Sequence, residues 1–218
     1  MPTSHKESCM SKLSDFIKKH IDFKLYGVTV LGLIVAFLAI PMIMFAEPDS
    51  KIAYENGLIE NIQMAVLLIG GWLAIKSKTD KKFFYFAAMV IGILILREVN
   101  CGRTLFFTIP GVENAYYGWD NIKYGYLAHP LFGLYIAWTG FYFLKNKLFL
   151  NLWNYLCKTT LPFWNIILMF IGAVLGIYAE HATSNFVFEE ITELLFYVAL
   201  TGIIWLYTKH EKFKISDD

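Results

Sequence analysis

Charge is what this sequence has little of. Charged residues make up 17% of the 218-residue chain and hydrophobic residues 57%, where soluble domains run near ~25% and ~45–50%. A net charge of only +1 leaves no basic footprint for nucleic acid, so that partner is excluded. The apolar content excludes a disordered chain, and the composition is wrong for a coiled coil. Cysteine is sparse as well. Three residues, one necessarily unpaired, exclude a disulfide-stapled secreted module. Histidine-based metal motifs are also missing, since neither HExxH nor Glu-x-x-His occurs, although Glu190 and Glu193 at i, i+3 can both face one point. What remains is the profile of one compact membrane domain, with a mean hydropathy of +0.50.

A bilayer core is crossed by ~20 mostly apolar helical residues. Six stretches meet that test, at 25–46, 57–75, 83–107, 124–144, 161–180 and 187–208. The sequence therefore predicts an all-α fold, a polytopic bundle of six transmembrane helices. Pro130 cannot donate to a helix ladder, so the fourth helix either starts there with His129 as its cap or kinks. Residues 1–24 read as a cytoplasmic amphipathic segment, 25–209 as the transmembrane domain and 210–218 as a cytoplasmic tail. Leu13, Phe16, Ile17 and Ile21 share one helical face beside Lys12, Lys18 and Lys19, as in a helix lying on a leaflet. The stretch 148–156, with Trp153, has the same character. The first run is full length and is expected to be a retained anchor rather than a cleaved signal.

The charges orient the chain. With the N-terminus inside, the four inner segments carry 15 of the 19 lysines and arginines, leaving only Lys51, Arg97, Arg103 and Lys123 outside. Acids run the other way, 11 outside against 7 inside. The positive-inside rule then gives N-in, C-in. A plasma (inner) membrane, bacterial in type, is the expected location.

Depth carries the functional signal. The inner halves of all six runs hold no acid, base or histidine, whereas the outer ends hold many. Glu60 opens the second run. Arg97 and Glu98 lie about 22 Å up the third, counting ~1.5 Å per residue, with Arg103 beyond them. His129 is near the outer end of the fourth, Glu180 and His181 close the fifth, and Glu189, Glu190 and Glu193 open the sixth. Each charge at mid-bilayer costs ~2.5–3.5 kcal/mol, and less near the interface. Such groups must face each other or a wet cavity. Helical spacing agrees: Asn56, Glu60 and Gln63 form one stripe, and Glu190, Glu193, Tyr197 and Thr201 another. Arg97, Cys101 and Thr104 form a third. Small residues continue two more stripes, Gly172–Gly176–Glu180 and His129–Gly133–Ala137, as at close helix contacts in lipid. Together these predict a polar pocket opening on the extracytoplasmic side.

Three kinds of chemistry suit that pocket. Glu60, Glu98, Glu190 and Glu193 are candidate catalytic acid–base residues, because clustered buried carboxylates raise one another's pKa values. Arg97 and Arg103 are candidate substrate-binding residues, holding a lipid phosphate or another small anionic group by forked hydrogen bonds. His129, His181, Glu180 and Glu189 are candidate additional ligands for a divalent metal, the one cofactor the residue types suggest. The leading reading is a membrane-embedded enzyme acting on a lipid or lipid-linked substrate. A small proton- or cation-coupled carrier would use the same acids, and arginines pairing with glutamates as struts would make a structural or sensory subunit. A carrier also needs polar residues on the inner side, where this sequence has few.

Glu189-Glu190-Ile-Thr-Glu-Leu resembles the EExxxR opening of the CAAX-protease-like intramembrane metalloproteases. Only the two leading glutamates match. Leu194 stands where that pattern requires arginine, and no later helix supplies histidines, so the assignment is rejected. The long outer connection carries Tyr116, Tyr117, Trp119, Tyr124 and Tyr126. These read as an interfacial aromatic belt, or else as a lid over the pocket.

Overall fold

A computed structural model describes residues 20–47, 50–112 and 114–213. The expected amphipathic segment lies almost wholly outside the described residues, and so does the end of the tail. The chain is mostly helical: α1 is Gly27–Phe45, α2 Leu58–Ile75, α3 Lys81–Glu98, α4 Arg103–Phe106, α5 Ala128–Lys145, α6 Leu148–Lys158, α7 Phe163–Ala182 and α8 Phe186–Lys209. Among the described residues five helices are long and apolar enough to cross a membrane, and six if a bent pair counts as one span. The outward faces are apolar, with Phe37 78% and Phe45 81% exposed. In water such a surface would associate; on a membrane protein it is the lipid-facing side.

The 24-residue α8 is the hub, packing against α7, α2 and α1. Its contact with α7 is the closest. A Cβ built on Gly172 would stand 2.6 Å from the Phe196 backbone nitrogen and 2.9 Å from the Thr192 carbonyl oxygen, so only glycine permits this approach. α3 lies against α2. Leu67, Leu73, Phe84, Ile91 and Ile204 fill the wedge between α2, α3 and α8 beneath Tyr197. α5 sits at the periphery against α3.

The third run differs from its expected form. It is not one helix over 83–107: α3 stops at Glu98 and the next helical segment turns away by 58°. Asn100, Cys101 and Gly102 take φ of 42°, 52° and 90°. Asparagine and glycine tolerate that left-handed backbone far better than other residues, so the break is encoded at Asn100 and Gly102. Arg97, Cys101 and Thr104 therefore do not share a helical face, because a continuous helix does not join them.

The fourth run is also corrected. α5 starts at Ala128 with Leu127 as its cap, so Pro130 falls in the first turn, where no helical donor is needed. His129 is not the cap. The expected packing stripe through His129, Gly133 and Ala137 faces away from the bundle, and nothing lies within 4 Å of a Cβ built on Gly133. The contact with α3 is made instead by Tyr135, whose hydroxyl covers Gly92 and donates to the Met89 carbonyl at 3.2 Å.

At the opposite end from the charged layer the chain is tied by features the sequence did not announce. Ile21–Asp22 and Leu161–Pro162 form a two-residue parallel pairing, β1 with β2. Asp22 accepts from the Tyr26 hydroxyl at 2.7 Å and the Lys24 amide at 3.0 Å, and pairs with Lys212 at 2.8 Å. Phe213 is fully buried beside Tyr26 and Tyr207. The amphipathic 148–156 stretch is helical, as α6, with Leu148 and Tyr155 buried and Trp153 exposed.

Candidate functional site

Antiparallel connection brings the start of α2, the end of α3 and the start of α8 to one end of the bundle. There the predicted stripes meet. Glu98 is the last residue of α3, and Tyr197 and Glu193 are one turn apart on α8. The Tyr197 hydroxyl donates to Glu98 Oε1 at 2.5 Å. Arg97 donates to the same oxygen through Nη2 at 2.9 Å and Nε at 3.1 Å, and to the Tyr197 oxygen at 3.1 Å. Its Nη2 also meets Glu193 Oε1 at 2.5 Å. The carboxylates are shielded, Glu98 at 6% and Glu193 at 13% side-chain exposure, while the arginine is 48% exposed.

A second arm comes from α2. Gln63 is fully buried, and its amide nitrogen donates to Glu190 Oε2 at 2.9 Å and to the Glu190 carbonyl at 2.8 Å. Glu60, one turn earlier and buried, accepts from the Asn56 backbone amide. Asn56 itself reaches across with its side chain to the Thr104 carbonyl at 2.5 Å and the Tyr116 hydroxyl at 3.4 Å. Glu98, Glu190 and Glu193 each offer a carboxylate oxygen, and the three lie within 4.8 Å of one another. Oxygen ligands at that spacing are of the kind a hard divalent cation takes. Arg97 already neutralises two of them.

Two cavities flank this cluster. The larger, about 410 Å³, is lined by Arg103, Glu55, Glu189, Glu190, Tyr54 and Tyr116 among others. The smaller, about 180 Å³, lies on the α7 side and is lined by Arg97, Glu180, Glu193 and Tyr197 with Gly172 and Gly176. Glu190 lines the first cavity and Glu193 the second.

The two arginines differ. Arg97 is held by two carboxylates and a phenol. Arg103, beyond the α3 break, has no carboxylate within 4 Å among the described residues. Its guanidinium stands 6.0 Å from the Tyr116 and Trp119 ring centres. With its amide turned to match these donors, Asn100 accepts from Arg103 at 2.7 and 3.3 Å. Ring faces and one neutral acceptor hold the guanidinium, and Glu55 acts on it electrostatically from beyond ion-pair distance.

The remaining predicted residues fall around this core. Glu189 lines the larger cavity and Glu180 the smaller; His181 is exposed at the end of α7. His129 packs edge-on against Trp119 at 5.5 Å, away from the three carboxylates. The sequence missed Gln63 as the clamp on Glu190, Asn56 as the bridge to Thr104, and Tyr116 as a cavity wall. Gln63 and Asn56 were visible as members of the Glu60 stripe. Tyr116 was visible only as one aromatic among several in the loop. An antiparallel bridge between Thr108 and Tyr116 turns it inward, and its hydroxyl donates to the Glu55 carbonyl at 3.0 Å. Burial pushes its phenol up from the ordinary range, which keeps it a donor. Tyr117, Tyr124 and Tyr126 stay exposed.

No protein-family model, curated protein or solved structure matches this chain.

Proposed function

We propose that the chain is an integral membrane enzyme that acts on a lipid or lipid-linked substrate by acid–base chemistry at the charged end of the bundle. The observation that carries this reading is the shared cavity of Arg103 and Glu190. It offers a guanidinium with no carboxylate within 4 Å among the described residues and, on the same wall, a carboxylate clamped by a buried amide. At about 410 Å³ the cavity is in the size range of small-molecule sites. Arg103 anchors the substrate's anionic group. Glu190 exchanges the proton, and Glu98 and Glu193 share charge behind it. Arg97 is the strut that fixes those two carboxylates.

A carrier is less well supported. Beneath Tyr197 the interior between α2, α3 and α8 is apolar, lined by Leu67, Leu73, Phe84, Ile91 and Ile204. A one-sided site suits a reaction better than a path. By the distribution of lysines, the N-terminus is placed inside and the cavity on the extracytoplasmic face of a plasma membrane. Impermeant maleimide labelling of Lys78→Cys and Asn114→Cys, each made in a Cys101→Ala background, in intact cells tests this placement, with only the second expected to react.

The functional test incubates the purified protein in nanodiscs with a membrane lipid extract and follows lipid conversion by mass spectrometry. Conversion should vanish in Glu190→Gln while lipid retention persists, and Arg103→Gln should lose retention. Unchanged retention and conversion in Arg103→Gln would sink the reading.

A further inference from the structure

We infer that the larger cavity selects a zwitterionic group, an anion joined to an ammonium, such as a phosphoethanolamine or phosphocholine unit. This rests on the substrate-binding reading above and names the class of substrate. A simple anion site should be lined mainly by donors. This one is not. Among the described residues that line it, Arg103 is the only cationic side chain, and Glu55, Glu189 and Glu190 line the same space. A ligand carrying only negative charge would satisfy Arg103 and be repelled by three carboxylates. A ligand carrying only positive charge would leave the Arg103 guanidinium unpaired and would itself be repelled by it.

A ligand with both ends resolves the conflict. Its anion takes the forked guanidinium, which Asn100 and the Tyr116 and Trp119 rings hold in place. Its ammonium reaches the carboxylates of α8 and Glu55 across the cavity. Tyr54 also lines the cavity, and an aromatic ring is a favourable neighbour for an ammonium. Among the described residues no carboxylate comes within 4 Å of Arg103, and Glu55 acts on it only from further off, so the two charge poles of the cavity stay separate.

The test uses the full chain purified in maltoside detergent, with native mass spectrometry of bound lipid. Phosphatidylethanolamine and phosphatidylglycerol of equal chain length are offered in competition, with soluble phosphoethanolamine in a separate titration. Phosphatidylethanolamine should be retained about tenfold over phosphatidylglycerol, the discrimination expected from one charge-assisted contact. Glu189→Gln combined with Glu190→Gln should abolish the preference while retaining phosphatidylglycerol. Arg103→Gln should lose both lipids, and Arg103→Lys, which keeps the charge, guards against misfolding as the cause. Saturable binding of soluble phosphoethanolamine, lost in Arg103→Gln, would support the same chemistry and identify a free ligand as its source. Equal retention of the two lipids by the wild-type protein would overturn the inference but leave the anionic-lipid reading standing. Retention of neither lipid, with no binding of soluble phosphoethanolamine, would overturn both.

Discussion

The Tyr197 hydroxyl stands 2.5 Å from Glu98 Oε1 and ties α8 to the last turn of α3. Tyr197 is 1% exposed, so water does not replace that bond when it is lost. Tyr197→Phe keeps the ring packing and removes only the donor. A hydrogen bond to a charged group contributes ~1.5–3 kcal/mol, so the melting temperature in detergent should fall by several degrees. No change would mean that Arg97 alone holds Glu98.

Arg97 and a divalent cation compete for the same oxygens. The guanidinium meets Glu98 at 2.9 Å and Glu193 at 2.5 Å, and these carboxylates with Glu190 form the one metal-capable group among the described residues. Arg97→Gln should therefore bind Mn2+ more tightly than the wild type, read by titration with mass-spectrometric metal counting. Without metal the variant should be destabilised by about 3 kcal/mol, the low end for a broken buried pair because Arg97 is half exposed. Glu193→Gln in the same chain should restore part of that loss. A variant as stable as wild type, with no gain in metal, would remove Arg97 from the role of strut.

Gly172 and Gly133 should respond in opposite senses to alanine. At Gly172 the new methyl meets backbone of α8 at 2.6–2.9 Å, which forces the two helices apart. Overpacking of this kind costs ~1–3 kcal/mol. At Gly133 nothing lies within 4 Å, so alanine should be neutral or stabilising by up to ~1 kcal/mol through helix propensity. Thermal melts of the two variants check the packing directly. Equal effects would mean that α7 and α8 are not so closely apposed.

Acid should loosen the end of the bundle opposite the site. Burial pushes the Asp22 carboxyl up, but the bonds from Lys212, Tyr26 and the Lys24 amide outweigh it and hold the group below its usual value. In turn, burial and the neighbouring carboxylate push the Tyr26 phenol up to about 12, so it remains a donor. A depressed carboxyl contributes stability that is whole above the ordinary aspartate value near ~3.9 and fades as pH falls through the lower folded value. The melting temperature of the wild type should therefore drop below about pH 4, and Asp22→Asn should be less stable at neutral pH with a flatter acid limb. Parallel acid limbs in the two proteins would show that other groups govern the response.

Most of the helices and the charged layer follow from the order of residues alone. Apolar run length sets where a helix can lie in lipid, and the position of a charge along a run sets its depth. Both are properties of one dimension. Glu60, Arg97, Glu98, Glu190 and Glu193 could therefore be assigned to one end before any packing was known. The break after Glu98 was also written in the chain, at Asn100 and Gly102, but the apolar residues on either side concealed it. Which groups meet is set by packing. That depends on how each helix is rotated and which neighbours it has, and small residues do not fix either. Gly172 faces α8, whereas Gly133, in a similar pattern, faces outward. The same rotation separates the two arginines: it turns Arg97 onto Glu98 and Glu193, and the left-handed break carries Arg103 past them to the wall of the larger cavity.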